Sequence, residues 1–170
     1  SGPADTMETM SLSFVQLILS AQKRIWIATP YFVPDLNVMG ALQLAALKGL
    51  DIRILLPDKS DNLIISYATR NYVSQLRKLG ITFLQYQPGF LHQKTLLVDD
   101  HLSYIGSANL DNRSLRINFE LNALIEDKAF AKDVESMLQE DFRVSINFPK
   151  ESNFFTTLAT KAARLFSPIL

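Results

Sequence analysis

Twice in its first half the chain passes from a short β-branched or aromatic run into a longer stretch of helical spacing, and a third short run follows. "RIWIAT" leads through the Pro-flanked loop "PYFVPD" to "LNVMGALQLAALKG". "DIRILLP" leads to "NLIISYATRNYVSQLRKLG", and "ITFLQYQ" ends at the turn Pro88-Gly89. A strand that is followed by a helix and then by another strand needs a crossover connection, and the helix supplies it. The alternation argues for a mixed or parallel sheet covered by helices, and the fold expected for the whole chain is α/β, a mixed β-sheet flanked by helices on both faces. Gly49 and Gly80 sit where the two helices should close, as residues able to take positive φ. An earlier helix is read from Leu12, Val15, Ile18 and Leu19, with Lys23 and Arg24 following at its end.

After Pro88-Gly89 the period changes. "KTLLV" and "LSYIG" are β runs separated by Asp99, Asp100 and His101, which predicts a hairpin over residues 93–106. "SANLDNRSLRI" reads as a polar loop or short turn and "NFELNALI" as a strand. "DKAFAKDVESMLQEDFRVS" reads as a helix capped by Asp127. The tail from Asn153 reads as a final amphipathic helix carrying Phe154, Phe155, Leu158, Leu165 and Phe166 beside Lys161 and Arg164. That pattern suits packing back onto the domain better than lying on an anionic bilayer. With 170 residues the chain suits one domain over 1–170, since chains of roughly this length bury about two thirds of their unfolded surface.

Composition narrows the chemistry. There is no cysteine and there are only two histidines, so thiolate sites are excluded and a zinc cage has too few ligands; no metal or other cofactor is expected. Lys+Arg 17 against Asp+Glu 17 shows none of the basic excess of nucleic-acid binders. No run approaches the roughly 18 to 20 apolar residues of a spanning helix, so membrane contact is expected to be peripheral. The start at Ser1 rather than Met reads as a piece of something longer.

The chemistry concentrates in "LHQKTLLVDD". On an extended strand, positions two apart share a face, so His92 and Lys94 project together. A neutral imidazole beside an ammonium group can attack phosphorus while the cation compensates charge on the non-bridging oxygens. Taken alone, the pair fits equally well a polar residue at a strand start and an edge lysine that discourages aggregation. "GSANLDNRS" shifts the balance. Gly106 allows close backbone approach, and Ser107 and Asn109 offer neutral donors suited to phosphate. Asp99, at the hairpin corner, suits holding the turn.

These residues resemble the signature of the phospholipase D superfamily, H-x-K-x-x-x-x-D followed by G-S-x-N. His92, Lys94, Asp99, Gly106, Ser107 and Asn109 all fit, within one run of 18 residues. "TPYFVPD", "NLDNRSLRINFE" and "LFSPIL" look like the C-terminal half of a bacterial cardiolipin synthase. The resemblance implies a phosphatidyltransferase acting through a phosphohistidine. His92 would be the nucleophile of a catalytic set with Lys94, Asp99 and Glu120; Lys94, Ser107 and Asn109 would hold the phosphate, and Glu120 would orient the ring. It further implies two phosphatidylglycerol molecules as substrates, cardiolipin and glycerol as products, and a full-length protein at the bacterial cell membrane, with this chain soluble or peripheral. Tyr31 and Phe32 fit either a cleft lining or a core contact, and Arg113 fits either a lipid phosphate or Asp111.

The superfamily site takes two such motifs, because a leaving alkoxide needs a second histidine to protonate it. This chain has one. His101 has no lysine two residues on and lies in the expected turn, where a solvated ring is anticipated. The second histidine is therefore expected from an N-terminal half or from a homodimer mate. A single-motif homodimeric phosphodiesterase or nuclease is the alternative, and the charge balance speaks against a nucleic-acid partner.

Overall fold

The computed structural model describes residue 2 and residues 7–59 and 62–149. The tail helix read from the sequence lies outside the described residues.

Among these residues the chain forms α1 (Thr9–Ser20), β1 (Arg24–Ala28), β2 (Phe32–Val33), α2 (Leu36–Leu47), β3 (Asp51–Pro57), α3 (Leu63–Arg77) and β4 (Thr82–Tyr86). There follow β5 (Thr95–Val98), β6 (Leu102–Gly106), β7 (Leu110–Asp111), α4 (Asn112–Arg116), β8 (Asn122–Glu126), α5 (Lys128–Arg143) and β9 (Ser145–Asn147). Seven strands make one sheet in the order β8-β6-β5-β1-β3-β4-β9, and β2 pairs with β7 apart from it. β1, β3 and β4 run parallel, while β5, β6, β8 and β9 add antiparallel pairings. The sheet is the mixed one expected for the whole chain, the alternation alone having left a parallel one open.

Period-2 alternation divides the apolar side chains between two helical layers. Ile25, Ile27, Ile54, Phe83, Leu96 and Val98 pack with α1, α2 and α3. Trp26, Ala28, Leu55 and Leu97 pack with Ala131, Val134 and Leu138 of α5. Helices therefore cover both faces. The starts of α2, α3 and α5 are fixed by side-chain oxygens that accept otherwise unpaired N–H groups. Asp35 accepts from Val38 N at 2.8 Å, Asn62 from Ile64 N at 3.0 Å, and Asp127 from Phe130 N at 2.8 Å. Gly49 (φ 80°) and Gly80 (φ 91°) follow α2 and α3 in the left-handed region, as the sequence suggested.

Four local readings change. The Pro-flanked loop includes the short strand β2, which pairs in parallel with β7 inside the stretch read as polar loop. That same stretch forms α4, capped by Asp111, which accepts from Ser114 N at 2.7 Å. Short polar segments of this kind are ordered by caps rather than by apolar periodicity, so periodicity misses them. β8 starts at Asn122, four residues later than read, and Ser145, read as helix, opens β9 beside β4.

Candidate active site

The register brings several chain segments to one end of the sheet. Ala28, the last residue of β1, pairs with Thr95, the first of β5, and Gly106, the last of β6, pairs with Asn122, the first of β8. The lead-in to β5, the exit of β6 and the approach to β8 thus meet where the parallel strands end, the usual ligand position in open α/β sheets.

The lead-in 91–94 precedes the strand and sends Leu91 and Gln93 toward α5. Leu91 is buried with the α5-side core, and Gln93 donates from Nε2 to Asp141 Oδ2 of α5 at 2.8 Å. His92 and Lys94 alternate with these two in the chain, and both precede β5, which starts at Thr95, so neither lies on the strand where the spacing put them. His92 is exposed, and its ring stacks on Phe90, with centroids 5.5 Å apart at 21°. No described residue hydrogen-bonds to its ring nitrogens. Lys94 is half-buried and donates from Nζ to the carbonyl oxygen of His92 at 2.8 Å. Burial holds the Lys94 ammonium below the ordinary lysine range, against the opposing pull of the Glu120 and Asp111 carboxylates.

The β6 exit is built around a close approach. Gly106 N donates to Lys94 O at 3.1 Å, which locks the exit to the lead-in. A Cβ at Gly106 would stand 2.0 Å from Asn122 Oδ1 and 2.8 Å from Asn122 Cα, so only glycine fits. Asn122 Oδ1 accepts from Ala108 N at 3.2 Å and from Tyr104 Oη at 2.5 Å, which holds the 106–109 turn against β8. Ser107 Oγ donates to Glu120 Oε2 and accepts from Leu121 N at 3.0 Å. Asn118 Nδ2 donates to Glu120 Oε1 at 3.3 Å. Asn109 Oδ1 is buried and has no partner.

Lys94, Ser107 and Glu120 are therefore gathered, with Asp111 close enough to act on Lys94. Asp111 is buried, and desolvation raises its carboxyl above the ordinary range, with Glu120 adding to the rise against hydrogen bonds from Ser114 and Arg113. Glu120 does not reach the ring of His92. Asp99 stands at the opposite end of β5, buried, with φ 52°. Its carboxylate accepts the backbone N–H groups of Gln22, Lys23 and Arg24 at 2.9, 2.8 and 3.0 Å. That is a turn-holding role. His101 shares that far end and is half-buried rather than solvated, lining a groove beside α1. Phe32 is fully buried, with its ring edge-on to Phe83 at 5.6 Å, so its role is core packing rather than cleft lining. Tyr31 packs partly buried against Val33, Ile65 and Ala68, and Arg113 is exposed.

Phe90, Tyr104 and Asn122 were not singled out from the sequence. A signal for Asn122 was present: Asn118, Glu120 and Asn122 recur every second residue in "NFELN", the period of one face of an extended chain. Among the described residues no group of three or more His, Asp or Glu side chains is placed to hold a metal ion.

Comparison with known proteins fits this geometry. Residues 14–142 match the family described as cardiolipin synthase, PLD-like domain. The chain is 48% identical to cardiolipin synthase A of Pseudomonas putida and 49% identical to that of Pseudomonas fluorescens, over its whole length and 36% of theirs. It thus spans just over a third of the curated relatives it matches. Among solved structures, the phospholipase D family member Nuc from Salmonella typhimurium superposes with a TM-score of 0.70 at 20% identity, covering 82% of this chain and 90% of Nuc. Phosphatidylserine synthase from Haemophilus influenzae superposes with a TM-score of 0.78 at 17% identity, covering 99% of this chain and 46% of that one. The two structural likenesses bear on the fold, and the family match covers most of the chain together with every residue gathered at the sheet end; the chain belongs to the cardiolipin synthase, phospholipase D-like domain family.

Proposed function

We propose that this chain supplies one half of a phosphatidyl-transfer site that makes cardiolipin from two molecules of phosphatidylglycerol. The observation that carries the reading is the convergence of Lys94, Ser107 and Glu120 beside an exposed His92 at one end of the sheet. A ring nitrogen of His92 attacks the phosphorus of the first phosphatidylglycerol. The phosphorus–oxygen bond to glycerol breaks, and the departing oxygen takes a proton from a histidine of a second lobe, leaving a phosphohistidine. The primary hydroxyl of the second phosphatidylglycerol then gives its proton to that histidine and displaces the ring, forming the second phosphodiester.

Lys94, Ser107 and Asn109 hold the non-bridging oxygens, where charge builds up in the transition state. Asn109 does so through its Nδ2 donors, because its Oδ1 is an acceptor like the phosphate oxygens themselves. Glu120 orients the ring once His92 turns from Phe90 toward it. A carboxylate on the far nitrogen fixes the tautomer and steadies the imidazolium that forms. Asp99 belongs to the motif through the hairpin it holds. The substrate is a membrane lipid, and the second lobe is an N-terminal half of a longer enzyme or a second copy. No described helix is long and apolar enough to cross a membrane.

The test is His92→Ala in the assembled two-lobe enzyme. Turnover is expected to fall by several orders of magnitude, and trapping of phosphorylated protein is expected to disappear. Retained turnover would remove His92 as the nucleophile. The equal counts of basic and acidic residues lend nothing to the nuclease reading.

A further inference from the structure

Glu120 lies on a stretch without regular secondary structure. α4 ends at Arg116 and β8 begins at Asn122, and residues 117–121 belong to neither element. Phe119 and Leu121 on either side of Glu120 are largely exposed, so apolar burial does little to hold the segment. A carboxylate that orients a catalytic ring has to keep its place within a fraction of an ångström, so such a segment needs both ends fastened. Downstream the fastening is the β6 exit: Leu121 O accepts from Ser107 N at 3.0 Å, and Leu121 N donates to Ser107 Oγ at 3.0 Å.

Upstream the fastening depends on α4, a helix of five residues that has little stability of its own. Asp111 caps its start and Leu115 sets its middle in the core. Its last residue, Arg116, fixes its end. Arg116 Nη2 lies 3.2 Å from Glu8 Oε2 and 3.7 Å from Asp35 Oδ2. The Asp35 side chain is 2% exposed, accepts from Ser11 Oγ of α1 at 2.5 Å and caps α2, so one carboxylate joins three helices. Beyond Arg116 the chain turns at once, Ile117 N and Asn118 N both donating to Arg113 O at 2.8 Å. The Asn118 side chain then donates to Glu120 at 3.3 Å.

Glu8 breaks a local rule to make this contact. It immediately precedes α1 with φ 52°, and its side chain caps no N–H of the helix it begins. An acidic group at a helix start ordinarily serves that start, whereas this one is turned to Arg116. The same turn of α1 reaches the other flank of Glu120 as well, since Met10 Sδ accepts from Asn122 Nδ2 at 3.7 Å. Arg116 is itself 42% exposed, and ion pairs of that kind add little to stability. Its contribution is therefore to place rather than to folding. We propose that Arg116 is a positioning residue of the transfer reaction: held between Glu8 and Asp35, it fixes the end of α4 and thereby the reach of Glu120 toward His92. The inference rests on the ring-orienting role given above to Glu120.

The experiment measures kcat and KM for phosphatidylglycerol in the assembled two-lobe enzyme, together with the urea midpoint of each variant. Arg116→Met keeps the length of the side chain and removes its charge. It is expected to lower kcat by about ten- to a hundredfold, with KM and the urea midpoint nearly unchanged. Arg116→Lys restores a cation and should recover most of the loss. Added to Glu120→Ala, Arg116→Met should cost nothing further, because a residue that acts through Glu120 then has nothing left to place. A kcat that Arg116→Met leaves intact while Glu120→Ala lowers it overturns the inference and leaves the transfer reading standing. A raised KM at constant kcat overturns it by making Arg116 a lipid contact. Losses that add in the double variant overturn it, as does a loss that disappears once rates are expressed per folded molecule. An inert Glu120→Ala removes the role of Glu120 and this inference with it, while His92→Ala still tests the nucleophile by itself.

Discussion

Asp99 is the motif residue that stands away from the other site residues, in the turn-holding position its place in the sequence suggested, and its substitution yields a graded prediction. The carboxylate accepts three consecutive backbone N–H groups from the α1–β1 junction, at 2.8 to 3.0 Å, and the residue is 6% exposed, so water cannot readily replace it. Asp99→Ala removes all three bonds. A buried donor left unpaired costs about 1 to 3 kcal/mol, and partial relaxation places three of them at roughly 3 kcal/mol in total. Aspartate and alanine both carry a Cβ at φ 52°, so the backbone strain changes little. The expected loss is about 3 kcal/mol, or about 9 °C in Tm for a chain of this size. Asp99→Gly relieves the left-handed strain by about 1 kcal/mol and should lose about 2 kcal/mol in all. Asp99→Asn keeps one acceptor and tolerates the left-handed conformation, so about 2 kcal/mol is expected. Urea unfolding followed by fluorescence of the single tryptophan, Trp26, which is buried on β1, measures the series. Burial pushes the Asp99 carboxyl upward, but the three N–H groups outweigh it and hold it below the ordinary carboxylate range. Its stabilisation is therefore complete above the unfolded-state value near ~3.9 and is lost as pH falls through the lower folded-state value, a slope that Asp99→Asn should remove. If Asp99→Ala unfolds within about 0.5 kcal/mol of the native chain while phosphoryl trapping is lost, the turn-holding account fails and Asp99 acts on substrate.

Gly106→Ala drives a Cβ into Asn122, backbone included, and should destabilise the chain by about 2 kcal/mol, with a lowered urea midpoint; an unchanged midpoint would show that the turn is looser than described. Because burial depresses the Lys94 ammonium, its charge should be lost below the ordinary lysine value of about 10.4. An alkaline limb of the transfer rate is expected there, shifted upward by Lys94→Arg, and a limb that Lys94→Arg leaves in place would have another source.

The strand–helix alternation sufficed for the α/β layering, because apolar period and crossover length are local properties and α2, α3 and α5 each start on their own capping oxygen. The H-x-K spacing likewise marked His92 and Lys94 as neighbours at the lead-in to β5, although the strand itself starts only at Thr95. Only the folded sheet decided what those side chains meet. The pairing of Gly106 with Asn122 sets Ser107 against Glu120 and leaves His92 against Phe90, contacts between residues separated in sequence by the β6–β8 connection or by free choice of rotamer. Asp99 shows the division most clearly: its place in a motif is legible from spacing, but the three N–H groups that occupy it come from residues 22–24, more than seventy positions away, and long-range register alone brings them there.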